Sequence, residues 1–88
     1  MRYAIVIEQA ANNYSAYVPD LPGCIATGGT VQEVEEQIRE AIVFHLEGLR
    51  EDGAPVPPPM SQVEYVDIAA DISRRIVVQA LENTGRLF

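Results

Sequence analysis

The stretch Tyr14-Ser-Ala-Tyr-Val-Pro-Asp-Leu-Pro-Gly-Cys24, running on through Ile25-Ala-Thr-Gly-Gly29 to Thr30, decides how this 88-residue chain folds. Tyr14 to Val18 is rich in aromatic and apolar residues and reads as a strand. Pro19 cannot donate to a ladder and ends it. In Asp20-Leu-Pro-Gly23, proline followed by glycine is the type II turn arrangement. Cys24 to Thr27 resumes as a strand, and Gly28-Gly29 releases the chain. Thr30-Val-Gln-Glu33 is a capping box, in which the threonine hydroxyl accepts from the third helical amide while the glutamate reaches back. Dense punctuation of this kind leaves the backbone few alternatives. The segment holds almost no residue that does covalent chemistry, which points to recognition.

Working outward, Tyr3-Ala-Ile-Val-Ile-Glu8 is a continuous apolar run of strand length, and Asn12-Asn13 is turn chemistry. Residues 3–18 therefore read as a β-hairpin. After the capping box, Val31, Val34, Ile38, Ala41, Ile42, Leu46 and Leu49 recur at the spacing of one helix face. Glu33, Glu36, Glu40, Glu47 and Arg50 fall largely on the other side. Asp52-Gly53 and Pro55 stop a helix of roughly five turns. Pro55-Val-Pro-Pro-Pro59 must run extended, as a stiff strap returning the chain to the sheet. Val63-Glu-Tyr-Val-Asp-Ile68 reads as a fourth strand. The order βββαβ gives an α+β two-layer sandwich over residues 1–69. Residues 70–88 form a tail in which Asp71 would cap a second helix carrying Ile72, Ile76, Val77, Ala80 and Leu81 on one stripe.

Chains of this length bury only about 60% of their unfolded surface. With 48% of the residues hydrophobic, association into a homo-oligomer or a tight complex is expected. Thirteen acidic residues against six arginines, with no lysine, give a formal net charge of -7. Phosphate backbones repel such a chain, whereas a basic protein is attracted to it and associates faster. Cys24 is the sole cysteine, which excludes an internal disulfide and a cysteine-built metal site. The chain opens directly into a strand pattern with no signal-peptide pattern. Its apolar runs are too short to span a bilayer, so no membrane association and a cytoplasmic location are expected.

Tyr3, the run from Tyr14 to Cys24, Gly28 to Glu33 and the Pro55–Pro59 connector together resemble the HicB family of antitoxins, over roughly residues 1–69. The resemblance implies a partial ribonuclease H-like core, in agreement with the βββαβ order. It also implies a non-enzymatic neutralising partner of a HicA-type toxin, a small basic protein that cuts mRNA with a histidine and whose active surface the antitoxin covers. Many members add a ribbon-helix-helix or helix-turn-helix domain that binds their own promoter. Residues 70–88 depart from that pattern. They offer one helix and only Arg74, Arg75 and Arg86 as cations, too little for a helix-turn-helix. Promoter binding by this chain is therefore in doubt. The alternative reading is an orphan oligomeric scaffold or small-ligand module without a toxin.

The remaining chemistry-bearing residues have bland explanations. His45, the only histidine, lies near the apolar face of the helix and reads as a core or boundary residue. Cys24 reads as a small buried hydrophobe. Glu8, Asp20, Asp67 and Asp71 lie on or beside strands, but nothing gathers three of them for a two-metal nuclease site, and solvated charge explains them. Gly28-Gly29 has no lysine to complete a phosphate loop. No catalytic residue, metal or cofactor is expected. The partner surface is expected at Pro19, Asp20, Leu21, Pro22 and Glu33. The oligomer interface is expected at Tyr3, Tyr17 and Tyr65, at strand positions that would face away from the helix, with Ile72, Ile76 and Ala80 in the tail.

Overall fold

The computed structural model describes residues 1–69. Strands β1 (Val6–Gln9), β2 (Tyr14–Tyr17) and β3 (Ile25–Gly28) precede one helix, α1 (Val31–Glu51). The strands form an antiparallel sheet in the order β1-β2-β3. The helix packs on β3 and, to a lesser extent, on β2. This is the α+β, sheet-and-helix architecture that the order of elements in the sequence implies.

The register sorts the side chains between two sheet faces. Ile7, Ala16 and Ala26 stand opposite one another across the three strands, and this row faces the helix. Ala16, Val18, Leu21, Cys24, Val34 and Ile38 are the buried core, with Tyr3, Ile5, Ile7, Tyr14, Ala41, Ile42 and Leu46 packed around it. Burying one such aliphatic side chain stabilises the fold by about 1.5–3 kcal/mol. Gly28 marks the closest approach of the two layers. A Cβ built on it would lie 2.7 Å from the backbone nitrogen of Val34, so only glycine lets β3 turn directly under the helix.

Both ends of α1 are closed as their residues demand. The Thr30 hydroxyl accepts from the Glu33 amide at 3.0 Å, and the Glu33 carboxylate accepts from Gly29 N–H at 2.7 Å. At the other end Gly53 N–H donates to Arg50 C=O and Ala54 N–H to Leu49 C=O. Gly53 has φ +68, and together these bonds make a Schellman motif. The 21 residues span close to six turns, slightly more than the spacing of the apolar residues suggests.

Two expectations need correction. Val63–Ile68 does not form a fourth strand: it makes no ladder bonds, and residues 61–69 are all exposed. Its composition is strand-like, but a strand exists only through a bonded neighbour, and none of the described residues pairs with it. Tyr3 packs against the core on the helix side instead of facing away from the helix. It alternates with Ile5 and Ile7, which share its face by the two-residue period of extended backbone. The expected helix carrying Ile72, Ile76 and Ala80 lies outside the described residues.

Candidate functional site

The loop joining β2 to β3 is built from two consecutive turns that share one residue. Leu21 N–H donates to Val18 C=O, and Cys24 N–H donates to Leu21 C=O. Pro19 and Pro22 each take the second position of a turn, where a fixed φ is favourable, and Gly23 follows with φ +84, completing the type II turn. Val18 N–H donates to Cys24 C=O and closes the base. Pairing with β1 stops here as well. The next group on β2 that would point toward β1 belongs to Pro19, which has no N–H.

Leu21, shared by both turns, is 0% exposed and plugs into the core. The loop is therefore anchored from within while Pro19 and Pro22 stay exposed. Asp20 is turned toward the proline-rich strap. Its Oδ2 accepts from Met60 N–H at 2.9 Å and Ser61 N–H at 2.8 Å, and its Oδ1 accepts from the Ser61 hydroxyl at 2.8 Å. The bond from Ser61 N–H, joined by those from the Ser61 hydroxyl and Met60 N–H, holds the Asp20 carboxyl below its ordinary value. Further back, the Tyr3 hydroxyl donates to Pro57 C=O. A proline strap has almost no donors of its own, so its attachment falls to a carbonyl and to the first amides beyond the prolines.

The sheet face without a helix carries the row Val6, Tyr17 and Ile25, paired directly across the strands. Tyr17 is 40% and Ile25 69% exposed. Glu8, Ser15 and Thr27 form the next row. Pro19 and Pro22, both exposed, follow Tyr17 and precede Ile25 in the connecting loop, so the apolar row crosses a three-strand base and ends beside that loop.

Of the residues expected at a partner surface, Pro19 and Pro22 lie beside this row, and Asp20 is engaged with the strap. Leu21 acts from beneath, holding the loop's shape. Glu33 sits at the far end of β3, occupied with Gly29, and is not brought to the loop. Val6 and Ile25 were absent from the expected site. Their signal was the register, since both stand across from Tyr17. Cys24 is buried, and burial pushes its thiol up, away from the reactive thiolate. His45 is half-buried on α1. Glu8 on β1, Asp20 in the loop and Asp67 beyond the strap lie on separate elements. Among the described residues no three acid, histidine or cysteine side chains gather as a metal-holding group, and no helix is long and apolar enough to cross a membrane.

The described residues form a two-layer α+β domain of three strands and one helix. Comparison with known proteins gives it a family. Residues 3–81 match the model of the HicB-like antitoxin of bacterial toxin–antitoxin systems, and the chain belongs to that family. It is 39% identical over 67 residues to a 14.9 kDa protein in the rep-hol intergenic region of Haemophilus phage HP1, covering 76% of this chain and 50% of that protein. It is 28% identical over 81 residues to Antitoxin HicB 1 of Photorhabdus laumondii, covering 89% of this chain and 52% of that antitoxin. The chain thus spans about half the length of these curated relatives. Among solved structures it is similar to a chain of the HicA3 and HicB3 toxin–antitoxin complex, with a TM-score of 0.60 and 33% identity over 67% of this chain and 70% of that one.

Proposed function

We propose that this protein is the antitoxin of a type II toxin–antitoxin pair and neutralises a basic, HicA-type, mRNA-cleaving toxin by covering its active surface. The observation that carries the reading is the row of half-buried Val6 and exposed Tyr17 and Ile25, beside the Pro19–Pro22 loop that Leu21 fixes from below. Membership of the antitoxin family and the likeness to a chain of a toxin–antitoxin complex support it. Tyrosine and isoleucine on a flat, preorganised base supply contact area at low entropic cost. The net charge of -7 attracts a basic partner and raises its association rate. The protein contributes no reacting group in this reading. It acts by occupying a surface.

The test is binding and protection with the purified HicA-type product of the adjacent gene. The unaltered chain is expected to bind it and stop its cleavage of mRNA. The pair Tyr17→Ala and Ile25→Glu is expected to weaken binding by about 100-fold, as loss of a central anchor does, with an unchanged circular dichroism spectrum. An unaltered chain that leaves cleavage at full rate would defeat the antitoxin reading. Full protection by the double variant would move the contact to another face.

A further inference from the structure

Among the described residues, two parts of one copy have no partner and each could supply one to a second copy. The first is the outer edge of β1. In the order β1-β2-β3, β1 is bonded on one side only among the described residues, and residues 2–5 lead into it. Beside it lies an open groove of about 750 Å³ between the start of the chain and α1. Ile5, Ile42, Val43 and Leu46 line the groove with apolar surface, and Arg2, Arg39 and Arg50, against the single carboxylate of Glu35, stand around it. These are all three arginines of residues 1–69. In a chain this acidic, gathering every described arginine around one apolar groove marks a place prepared for an apolar segment with carboxylates.

The second is such a segment. Val63-Glu-Tyr-Val-Asp-Ile68 takes no regular structure and pairs with none of the described residues, with Tyr65 91% and Val66 79% exposed. In a strand, Val63, Tyr65 and Asp67 share one side, and Glu64, Val66 and Ile68 the other. Whichever side turns inward, it carries two apolar side chains and one carboxylate. The strap delivers the segment to the neighbourhood of β1 but does not pair it there. A cleft of about 600 Å³ lies between Arg2–Ile5 and Met60–Glu64 of the same copy, while the bonds from Tyr3 to Pro57 and from Met60 and Ser61 to Asp20 pin the strap.

We propose that two copies associate about a two-fold axis by exchanging this segment. Val63–Ile68 of each copy adds as a strand to the free β1 edge of the other, with its inward apolar pair in the groove and its carboxylate among Arg2, Arg39 and Arg50. Adding a strand satisfies backbone groups on both chains at once and removes an exposed edge. The exchange is self-complementary, as a closed two-fold interface requires. The arginines offset the repulsion that two copies of charge -7 would otherwise feel on approach.

The experiment uses two full-length charge-reversed chains, one with Arg2→Glu, Arg39→Glu and Arg50→Glu and the other with Glu64→Arg and Asp67→Arg. Light scattering on the unaltered chain is expected to give twice the 9.7 kDa chain mass. Each variant alone places like charges at both contacts and is expected to dissociate about 100-fold more readily. Mixed in equal amounts they restore opposite charges at both contacts, and native mass spectrometry is expected to find the mixed dimer. If the segment instead folds back onto its own chain, mixing restores nothing, and that result overturns the proposal. So does a monomer at about 100 µM. Should a variant fail to fold, hydrogen exchange on the unaltered chain decides. Protection of residues 63–68 is expected to rise with concentration as dimer forms, and protection that is absent or independent of concentration overturns the exchange.

Discussion

Leu21 belongs to two turns at once, and it is the one loop side chain among the largest fully buried groups. Replacing it with alanine leaves a cavity under a loop whose prolines prevent it from collapsing inward. Leu21→Ala is therefore expected to cost about 2–5 kcal/mol, most of the stability of a domain this small. A urea unfolding curve measures it, and a cost under about 1 kcal/mol would show that the loop repacks. Asp20 sits next to Leu21 but serves the strap. Its carboxyl is held below the ordinary value of 3.8 by the bonds from Ser61 and Met60. A depressed folded value means that its contribution is present above the unfolded value and lost as the pH falls through the folded one. The strap is thus expected to stay attached at pH 7 and to detach only below about pH 3.8. The Met60 and Ser61 amide resonances report this directly. In Asp20→Asn they are expected to show the detached shifts already at neutral pH, because an amide replaces one acceptor oxygen with a donor.

Among the elements, the joint between β3 and α1 leaves least room. Gly28 and Thr30 stand two residues apart, one setting the distance between the layers and the other starting the helix. Gly28→Ala drives a methyl against the backbone of Val34, which cannot turn aside as a side chain could. We expect a loss of about 1–3 kcal/mol, read as a lowered thermal midpoint. A neutral result would mean that the helix can lift off the strand. The capping box, the Schellman stop and the type II turn were all legible in the sequence, because each rests on residues within six positions of one another. The fourth strand was misread for the opposite reason. Val63–Ile68 has the residues of a strand, but nothing local states which edge it must join.

At the scale of the whole molecule, the two proposed contact surfaces lie on different elements. The row of Val6, Tyr17 and Ile25 crosses the helix-free sheet face, and the arginine-rimmed groove lies beside α1. Partner binding at the first and self-association at the second do not compete for the same residues, so the antitoxin reading and the strand exchange can fail separately. Self-association also has a thermodynamic signature. If folding and pairing are coupled, the thermal midpoint is expected to rise with protein concentration. A midpoint constant from about 1 to about 100 µM would separate stability from association.

The candidate site was legible only in part. Pro19 and Pro22 were visible as turn residues, and Tyr17 as an exposed aromatic. Joining them to Val6 and Ile25 required the register, which pairs positions 6, 17 and 25 across three strands. The sequence alone specified the helix and its caps, the proline–glycine turn of the connector and the three strands that precede the helix. These follow from short-range bonds and backbone preferences that each residue carries wherever it stands. The tertiary structure decided that Tyr3 faces the helix, that Leu21 is core, that Asp20 holds the strap, and that three arginines distant in sequence surround one groove. Those outcomes depend on which surfaces meet, and contact between distant residues is settled by packing the whole chain at once.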